Sequence, residues 1–185
     1  MGPKSIRSKR LILKIEDTSA ASRVLDLYLR NRTVFEQFEP TRPRNFYTLS
    51  YHEEALRREL SAYNLGQFVR YYIYESMFPD IIIGSVNFNF FSSGLVRYAE
   101  VGYKIDHLHQ NRGYAYEAVR LGMEVLQKHY GIYRFDARIH PYNYASLRLA
   151  EKLGFTMYRY EPKSANILGK TEDLIRYSLT TSTTQ

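Results

Sequence analysis

The sequence predicts one mixed α/β domain with a central, mostly antiparallel twisted sheet and helices on both faces. Three observations support this fold class. Apolar and polar residues alternate through consecutive strand-like segments in the middle of the chain, helical apolar spacing follows them, and strand and helix patterns then alternate. A chain of 185 residues has the length of a single domain, and we find no linker or internal repeat. We expect the domain to span residues 8–180, with flexible tails at 1–7 and 181–185.

The first third of the chain predicts one strand and two helices. Residues 10–15 have the pattern of a short strand. Asp17 opens a group of candidate helix caps, and apolar residues then recur at helical spacing to about residue 32. Two prolines within residues 40–43 break the helical pattern, and a second helix is expected over residues 50–63.

The middle of the chain predicts an antiparallel meander of three strands, over residues 67–75, 81–91 and 96–105. In the second strand the apolar residues fall mainly on even positions and polar residues alternate with them, so that one face is expected to be buried. In the third strand the apolar residues fall on odd positions, which places Glu100 on its polar face.

The last part of the chain alternates between helix and strand. A helix is predicted from residue 113 to about residue 129. A shorter helix is expected to open near Asn143 and to stop at Gly154. The remaining strands are predicted at residues 133–139, 155–160 and 173–179.

The composition excludes several classes of site. The chain has no cysteine, which excludes a disulfide framework, a thiolate metal site and a cysteine nucleophile. The net charge is +7, but five basic residues precede the first acid, so the rest of the chain carries only about +2. We therefore expect a solvated basic arm, with contact to RNA, to the ribosome or to an acidic partner as the alternative. The five residues are Lys4, Arg7, Lys9, Arg10 and Lys14.

No segment predicts a membrane-bound protein. The apolar run at residues 11–13 is interrupted by Lys14 and Glu16, which is unlike a signal-peptide core. The longest apolar stretches are far shorter than the ~20 residues that a spanning helix needs. We therefore expect a cytoplasmic protein without membrane contact, as a monomer or a homodimer.

The most informative stretch runs from Glu100 to Ala115 and predicts a strand, a short loop and a helix that begins at Gly113. The first N–H groups of a helix have no internal partner, and the helix dipole adds positive potential, so this junction suits a phosphate. Arg112 adds a positive charge. The glycine spacing differs from that of phosphate-binding loops in kinases, GTPases and Rossmann enzymes, and we find no acidic cluster for a nucleotide-bound magnesium.

The motif Gln110-x-x-Gly113-x-Ala115 resembles the Q/R-x-x-G-x-G/A coenzyme A signature of the GNAT superfamily of N-acetyltransferases. Asn143-x-x-Ser146 and the Lys-Leu-Gly-Phe segment at residues 152–155 resemble the second half of the same fold. Together with Glu-Val-Gly-Tyr before the loop, these motifs are most similar to the RimJ/RimL branch, which acetylates N-terminal amines of ribosomal proteins. The resemblance covers about residues 8–180 and indicates the cofactor more specifically than the acceptor.

This resemblance implies that the chain binds acetyl-CoA as cosubstrate and needs no metal. It also implies that the strands before and after the helix at residues 113–129 are parallel neighbours that splay apart at the cofactor site. It implies that the pantetheine arm pairs with the strand edge at Tyr103, Lys104 and Ile105, and that Asn143 binds the pantetheine or the strand carbonyls. The alternative for Asn143 is a helix cap. The pyrophosphate is expected on the backbone N–H groups of Gln110, Asn111, Arg112, Gly113, Tyr114 and Ala115.

The resemblance also implies two catalytic candidates. Glu100 is the candidate base for the amine, with a structural carboxylate as the alternative, and Ser146 is placed to hydrogen-bond the coenzyme sulfur. Many GNAT enzymes protonate the leaving thiolate with a tyrosine, but that position is Ala150 here. His107 and His109 are expected to face solvent or brace the loop.

The expected function is acetyl transfer from acetyl-CoA to a primary amine, most simply the N-terminal α-amine of a protein of the ribosomal type. N-acetylation of a small amine such as an antibiotic or a polyamine is the second hypothesis. The missing tyrosine leaves a third, a non-catalytic acyl-CoA-binding module on the same scaffold.

Overall fold

The computed structural model describes residues 1–94 and 96–182. Within them, eight strands form one sheet, and five α-helices and two short 3₁₀ turns (Thr18–Ala20 and His107–His109) pack around it. The helices are α1 (Ala21–Arg30), α2 (Arg32–Glu36), α3 (Leu49–Asn64), α4 (Tyr114–Tyr130) and α5 (Tyr144–Lys152). The strands are β1 (Ser5–Arg7), β2 (Leu11–Lys14), β3 (Phe68–Glu75), β4 (Phe78–Ser93), β5 (Val96–Ile105), β6 (Arg134–Ile139), β7 (Thr156–Ile167) and β8 (Lys170–Thr180).

The sheet has the order β1-β2-β3-β4-β5-β6-β8-β7 and confirms the predicted mixed α/β class. Every neighbouring pair of these strands is antiparallel except β5 and β6, which run parallel on either side of α4. The parallel pairing covers only three residue pairs, from Tyr98–Arg134 to Glu100–Asp136. Because both strands continue beyond that point, they diverge, as the sequence predicts.

Helices cover both faces of the sheet. On one face, α1 and α3 pack on β2, β3 and β4 through a buried cluster that includes Leu27, Leu56 and Tyr72. On the other face, α4 packs on a larger cluster across the centre of the sheet. A side chain at Gly122 of α4 would place its Cβ 2.4 Å from the ring of Phe88 on β4, so glycine permits this close approach.

The N-terminal residues differ from the expected flexible tail at 1–7. Ser5–Arg7 pairs antiparallel with β2 as an edge strand, and Gly2 is buried against α4. The Gly2 N–H donates to the Tyr130 hydroxyl at 3.0 Å, and the Tyr71 hydroxyl donates to the Pro3 carbonyl at 2.7 Å. A strand of three residues is too short for its alternation to be recognised in the sequence. Contact of this basic segment with a ribosome stays a prediction.

The C-terminal strands form a longer hairpin than the sequence predicts. β7 extends to Ile167 and β8 starts at Lys170, joined by a turn at Leu168 and Gly169, both with positive φ. Such a turn matches the twist of the two strands, although leucine is an unusual residue for it. After β8, the Thr181 N–H bonds to the Tyr133 carbonyl at 2.9 Å, and residues 183–185 of the expected tail lie outside the described residues.

The first predicted helix is divided in the structure. α1 ends at Arg30 and α2 starts at Arg32, because the buried Asn31 between them adopts a non-helical conformation and bonds to the Leu27 carbonyl and to Asp106. The chain here turns toward the loop that precedes α4. In the described part of the chain, no helix is both long and apolar enough to cross a membrane.

Candidate active site

A cleft opens between β5 and β6 because their pairing stops after three residues. In the described chain, β5 continues from Val101 to Ile105 without a partner on β6, while its other edge stays paired with β4. The backbone groups of this segment that face β6 are therefore available to an extended molecule, which can pair with them as an added strand does. The structure thus places Tyr103, Lys104 and Ile105, the predicted pantetheine-binding residues, along the cleft.

The chain between β5 and α4 forms a loop whose backbone suits an anion. Asn111 and Gly113 have φ values of 60° and 79°, which turn the chain so that α4 begins at Tyr114. The Glu117 N–H bonds to the Gly113 carbonyl at 3.1 Å as the first hydrogen bond of the helix. The N–H groups before it have no partner within the helix, and the helix dipole adds positive potential there. The predicted residues 110–115 all lie in this loop and helix start.

Arg10 braces the loop from the start of β2, a role that the sequence did not reveal. Its Nη1 donates to the Arg112 carbonyl at 3.0 Å, and its Nε and Nη2 donate to Glu117 at 2.9 and 2.5 Å. The guanidinium also lies over the ring of Tyr114, 4.9 Å from its centroid. A cation is therefore fixed beside the free N–H groups, where an anion would be stabilised. No local motif indicates this contact, since more than 100 residues separate its partners.

Asp106 anchors the same loop to α1 and was also missed. Its Oδ2 accepts from Arg30 Nε at 2.6 Å and from Asn31 Nδ2 at 2.8 Å. Its Oδ1 accepts from the Leu108 N–H at 3.0 Å and lies 3.0 Å from His109 Nδ1. Burial alone would raise the pKa of Asp106, but these hydrogen bonds outweigh burial and hold that pKa well below its usual value. The ionised carboxylate thus fixes the loop against the helical layer.

The two histidines of the loop make bracing contacts. Both the backbone N–H and Nδ1 of His107 lie 2.8 Å from the Asn31 side-chain oxygen, and His109 contacts Asp106. The Gln110 side chain donates to the Ile105 carbonyl at 3.3 Å and closes the loop. These contacts agree with the expected loop-bracing role of the histidines.

The start of α5 faces β5 across the cleft. The Asn143 side-chain oxygen accepts from the Ser146 N–H at 3.2 Å, which is the helix-cap alternative raised for Asn143. The Tyr103 hydroxyl donates to the Ser146 carbonyl at 3.3 Å and connects the two sides, and burial raises the pKa of Tyr103 to about 12. Ala150, at the position of the usual tyrosine, is buried in the core.

Glu100 lies where the cleft begins, and its carboxylate faces two arginines. Arg138 contacts both of its oxygens, through Nε at 2.9 Å and Nη2 at 3.1 Å. Arg176 lies 3.9 Å away and also pairs with the buried Asp136 at 3.2 Å. A carboxylate held by a guanidinium in this way is typical of a structural ion pair. The catalytic role of Glu100 therefore stays a prediction, with its structural alternative strengthened by these contacts.

Two segments distant in sequence meet at the loop between α2 and α3, whose Glu39 contacts Lys104 of β5 at 2.5 Å. The loop between α2 and α3 meets the tip of the β7–β8 hairpin through a bridge between Pro40 and Ile167. The Thr41 N–H donates to the Asn166 carbonyl at 3.1 Å, and the Gly169 N–H donates to the Thr41 hydroxyl at 3.0 Å. The sequence does not predict this contact, because the residues at the tip of the hairpin show no strand pattern.

Across the described residues, no group of three or more His, Asp or Glu side chains is arranged to hold a metal ion. The cations near the loop are instead the side chains of Arg10 and Arg112, and Arg112 lies 3.7 Å from Glu75. The arrangement therefore offers backbone N–H groups and arginines for an anion, a free strand edge for an extended chain, and polar groups on both sides of the cleft.

Comparison with known proteins relates this site to one family. A family model described as an acetyltransferase (GNAT) domain matches residues 10–156. The probable N-acetyltransferase YjcK of Bacillus subtilis (strain 168) is 28% identical over 91% of this chain and 92% of its own length. A [ribosomal protein uS5]-alanine N-acetyltransferase of Escherichia coli (strain K12) is 26% identical over 95% of this chain and 90% of its own length.

A solved structure has the same fold. RimL, a ribosomal L7/L12 α-N-protein acetyltransferase in complex with coenzyme A, superimposes with a TM-score of 0.85. The superposition covers 97% of this chain and 99% of that protein, at 20% sequence identity.

Proposed function

The chain belongs to the GNAT acetyltransferase family, and from this membership we propose that it acetylates the N-terminal α-amine of a protein. It is an acetyl-CoA-dependent acetyltransferase, as its family and its N-acetyltransferase relatives indicate. The observation that carries the choice of acceptor is the relative from Escherichia coli, whose name gives a ribosomal-protein alanine as its target and which aligns over nearly the whole of both chains.

The residues around the cleft fit acetyl-CoA. The N–H groups before Glu117, with Arg10 and Arg112 beside them, suit a pyrophosphate. The open edge of β5 from Val101 to Ile105 suits the amide groups of pantetheine, which pair as peptide groups do. When bound, acetyl-CoA supplies an acetyl group on a thioester that an amine can attack.

The carbonyl oxygen of the acetyl group becomes negative during transfer, and a backbone N–H on the open edge of β5 is the proposed donor to it. Gly102 lies on this segment, and a Cβ there would come within 3.1 Å of the Asn87 side chain. A preorganised donor of this kind lowers the activation free energy by ~3 kcal/mol. Ser146, at the start of α5 across the cleft, is the proposed hydrogen-bond donor to the departing sulfur.

The acceptor amine must be neutral when it attacks. An α-amino group has a pKa of about 7.7–8.0, so a sizeable minority is already neutral at pH 7 and a modest base suffices. Glu100 is the proposed base and lies at the mouth of the cleft. Because Arg138 occupies both carboxylate oxygens, we propose that Glu100 takes the proton through a bridging water.

The test is release of free coenzyme A from acetyl-CoA in the presence of candidate acceptors. Peptides with a free N-terminal Ala or Ser are compared with the same peptides blocked at the N-terminus, and mass spectrometry locates the acetyl group. We expect turnover of the free peptides and none of the blocked ones. Acetylation only at lysine side chains, or no turnover of any peptide, would contradict the proposal.

Small amines are the second arm of the same assay. Aminoglycosides and polyamines form the panel. Their primary amines resemble that of lysine, have higher pKa values than an α-amine and therefore need a stronger base to remove the proton. We expect kcat/KM at least ~10-fold higher for the N-terminal peptides, since the proposed base is held in an ion pair. A higher value for a small amine would replace the proposed acceptor without altering the acetyl transfer itself.

A further inference from the structure

A pocket lies between the sheet and the loop that joins α2 to α3, on the face covered by α1 and α3. Its volume is about 400 Å³, which is enough for one amino-acid side chain and its neighbours. We call this space the Arg42 pocket. Its lining includes Tyr28, Arg42, His52, Glu59, Arg70 and Lys104.

The Arg42 pocket collects buried nitrogen atoms without hydrogen-bond partners. Across the described residues, five buried side-chain nitrogen or oxygen atoms lack a partner, and four of them belong to residues of this pocket. They are Nε and Nη1 of Arg42, Nε of Arg70 and Nε2 of His52. Buried polar atoms are nearly always hydrogen-bonded in proteins, so a cluster of exceptions indicates a missing partner.

Arg42 is held firmly in this position. Its side chain is only 8% exposed, and its Nη2 forms an ion pair with Glu39 at 2.7 Å. The guanidinium lies over the rings of Phe46 and Tyr28, 4.1 and 4.7 Å from their centroids. A buried arginine fixed by aromatic rings, with three N–H groups of Nε and Nη1 left over, is prepared to bind an anion.

The charge of the pocket favours an anion as well. Its lining contains three largely buried cations, those of Arg42, Arg70 and Lys104, and only two carboxylates, those of Glu39 and Glu59. Arg70 already pairs with Glu59, and Lys104 pairs with Glu39 at 2.5 Å. Burial and the nearby charge of Arg42 lower the pKa of His52 to about 4, so His52 is neutral at pH 7. An excess of buried positive charge is costly unless a bound anion balances it.

Lys104 connects the pocket to the cleft. It lies on β5 beyond the last residue paired with β6, in the segment proposed to hold the pantetheine. Its Nζ contacts Glu39, which is also the partner of Arg42. The pocket is therefore next to the edge of β5 that is proposed to hold the pantetheine, on the face opposite α4. An amine that attacks at this edge would bring the groups that follow it close to the pocket.

We propose that the Arg42 pocket binds a carboxylate of the acceptor, so that the preferred substrates are amines that carry an acidic group a few bonds from the reacting nitrogen. This inference rests on the proposed function and names its substrate class: proteins with Asp or Glu directly after the N-terminal residue or one position later. The rings of Tyr28 and Phe46 that stack on Arg42 form the apolar wall around the carboxylate.

The experiment compares two matched pairs of peptides with an N-terminal Ala. One pair has Asp or Asn as second residue, and the other pair has Asp or Asn as third residue. We expect kcat/KM at least ~10-fold higher for Asp in one of the pairs, which is the size of a single charge-assisted hydrogen bond. No preference for Asp in either pair would overturn the inference, and this comparison needs only the wild-type protein.

Two variants test whether Arg42 causes the preference for Asp over Asn. Arg42→Gln should lower kcat/KM more for the Asp peptide than for the Asn peptide, so that the Asp/Asn ratio falls to near one. Arg57→Gln, the matched control, removes the same charge from an exposed position of α3 outside the pocket, and the ratio should persist. An equal loss with both peptides in Arg42→Gln would assign Arg42 a purely structural role and overturn the inference.

A binding measurement separates this inference from the proposed function. Calorimetry with the N-acetylated Asp and Asn peptides, which need no chemistry, should show tighter binding of the Asp product to the wild type but not to Arg42→Gln. If no peptide is acetylated and this difference persists, the pocket stands and the acceptor assignment fails. If peptides are acetylated without any difference, the acceptor assignment stands and the pocket inference fails.

Discussion

The two sides of the cleft are built in different ways. The proposed cofactor side is mainly one continuous segment, β5, the loop and the start of α4, over residues 96–116. The proposed acceptor side is assembled from the loop after α2, from α3 and from the tip of the β7–β8 hairpin, whose contact joins Pro40 to Ile167. Continuous segments carry their chemistry in a local motif, whereas assembled surfaces do not. This difference explains why the cofactor is specified more clearly than the acceptor.

The strongest test of the cofactor side is Gly113→Glu. We expect acetyl-CoA affinity to fall ~100-fold or more, because a carboxylate would repel the pyrophosphate from the helix start and the residue has a φ of 79°. Calorimetry measures the affinity, and thermal unfolding checks that the fold survives. Gly131→Glu is the matched control, since Gly131 has a φ of 62° at the opposite end of α4. Equal losses of acetyl-CoA affinity in the two variants would show that the loop does not bind the cofactor.

Glu100→Gln tests the boundary between the two sides. If Glu100 is the base, kcat should fall ~100-fold at pH 7 with little change in acetyl-CoA affinity. The loss should shrink as the pH rises through 8, because more of the α-amine is then already neutral. Glu161→Gln is the control, because Glu161 also pairs with Arg176, at 2.7 Å, but does not contact Arg138.

A small effect of Glu100→Gln on the rate would support the structural alternative for Glu100. A pH-independent change of only a few-fold, with a lower melting temperature, would indicate that Glu100 only balances the charge of Arg138. Ser146→Ala would then be measured next, to find whether the departing sulfur or the amine limits the rate.

Asp106→Asn tests how firmly the cofactor loop is anchored. We expect a loss of about 3 kcal/mol in the free energy of unfolding, because a buried carboxylate with a guanidinium partner is replaced. Urea unfolding measures this loss. Asp26→Asn is the control, since Asp26 pairs with the same Arg30 but is 67% exposed, and should cost less than about 1 kcal/mol.

The lowered pKa of Asp106 makes the free energy of unfolding depend on pH. The pKa of Asp106 is lower in the folded protein than in the unfolded chain, so its stabilisation is complete above the unfolded pKa of about 4 and is lost as the pH falls below it. Wild type and Asp106→Asn should therefore converge in stability under acidic conditions. A constant difference from pH 7 to pH 3 would contradict this account.

Thr41→Val has the smallest expected effect and tests the acceptor side. It removes the Thr41 hydroxyl that joins the loop to Asn166 and Gly169. We expect the KM for peptides to rise about fivefold, as the loss of about 1 kcal/mol implies, with the KM for acetyl-CoA unchanged. Thr156→Val, which removes a hydroxyl at the other end of β7, is the control. A change in both KM values would show that the two sides are coupled.

The sequence predicted the elements that have a strong local signal. The meander of β3, β4 and β5 and the helix α4 with its glycine ends are present in the structure, and the parallel divergence of β5 and β6, which the family resemblance implied, is present as well. The edge strand Ser5–Arg7 and the hairpin turn at Leu168 were missed. The first is too short to show alternation, and the second uses a leucine where the backbone favours glycine or asparagine.

By itself, the sequence determined the fold class, the family and the loop from Gln110 to Ala115, because a periodic pattern and a helix start depend on residues close in the chain. Tertiary structure alone decided which side chains brace that loop and line the acceptor side. Arg10 reaches Glu117, Asp106 meets Arg30, and Arg42 lies in a pocket with Arg70. These pairs are between 28 and 107 residues apart. Their charges carry no signal until packing brings them together and removes the water between them.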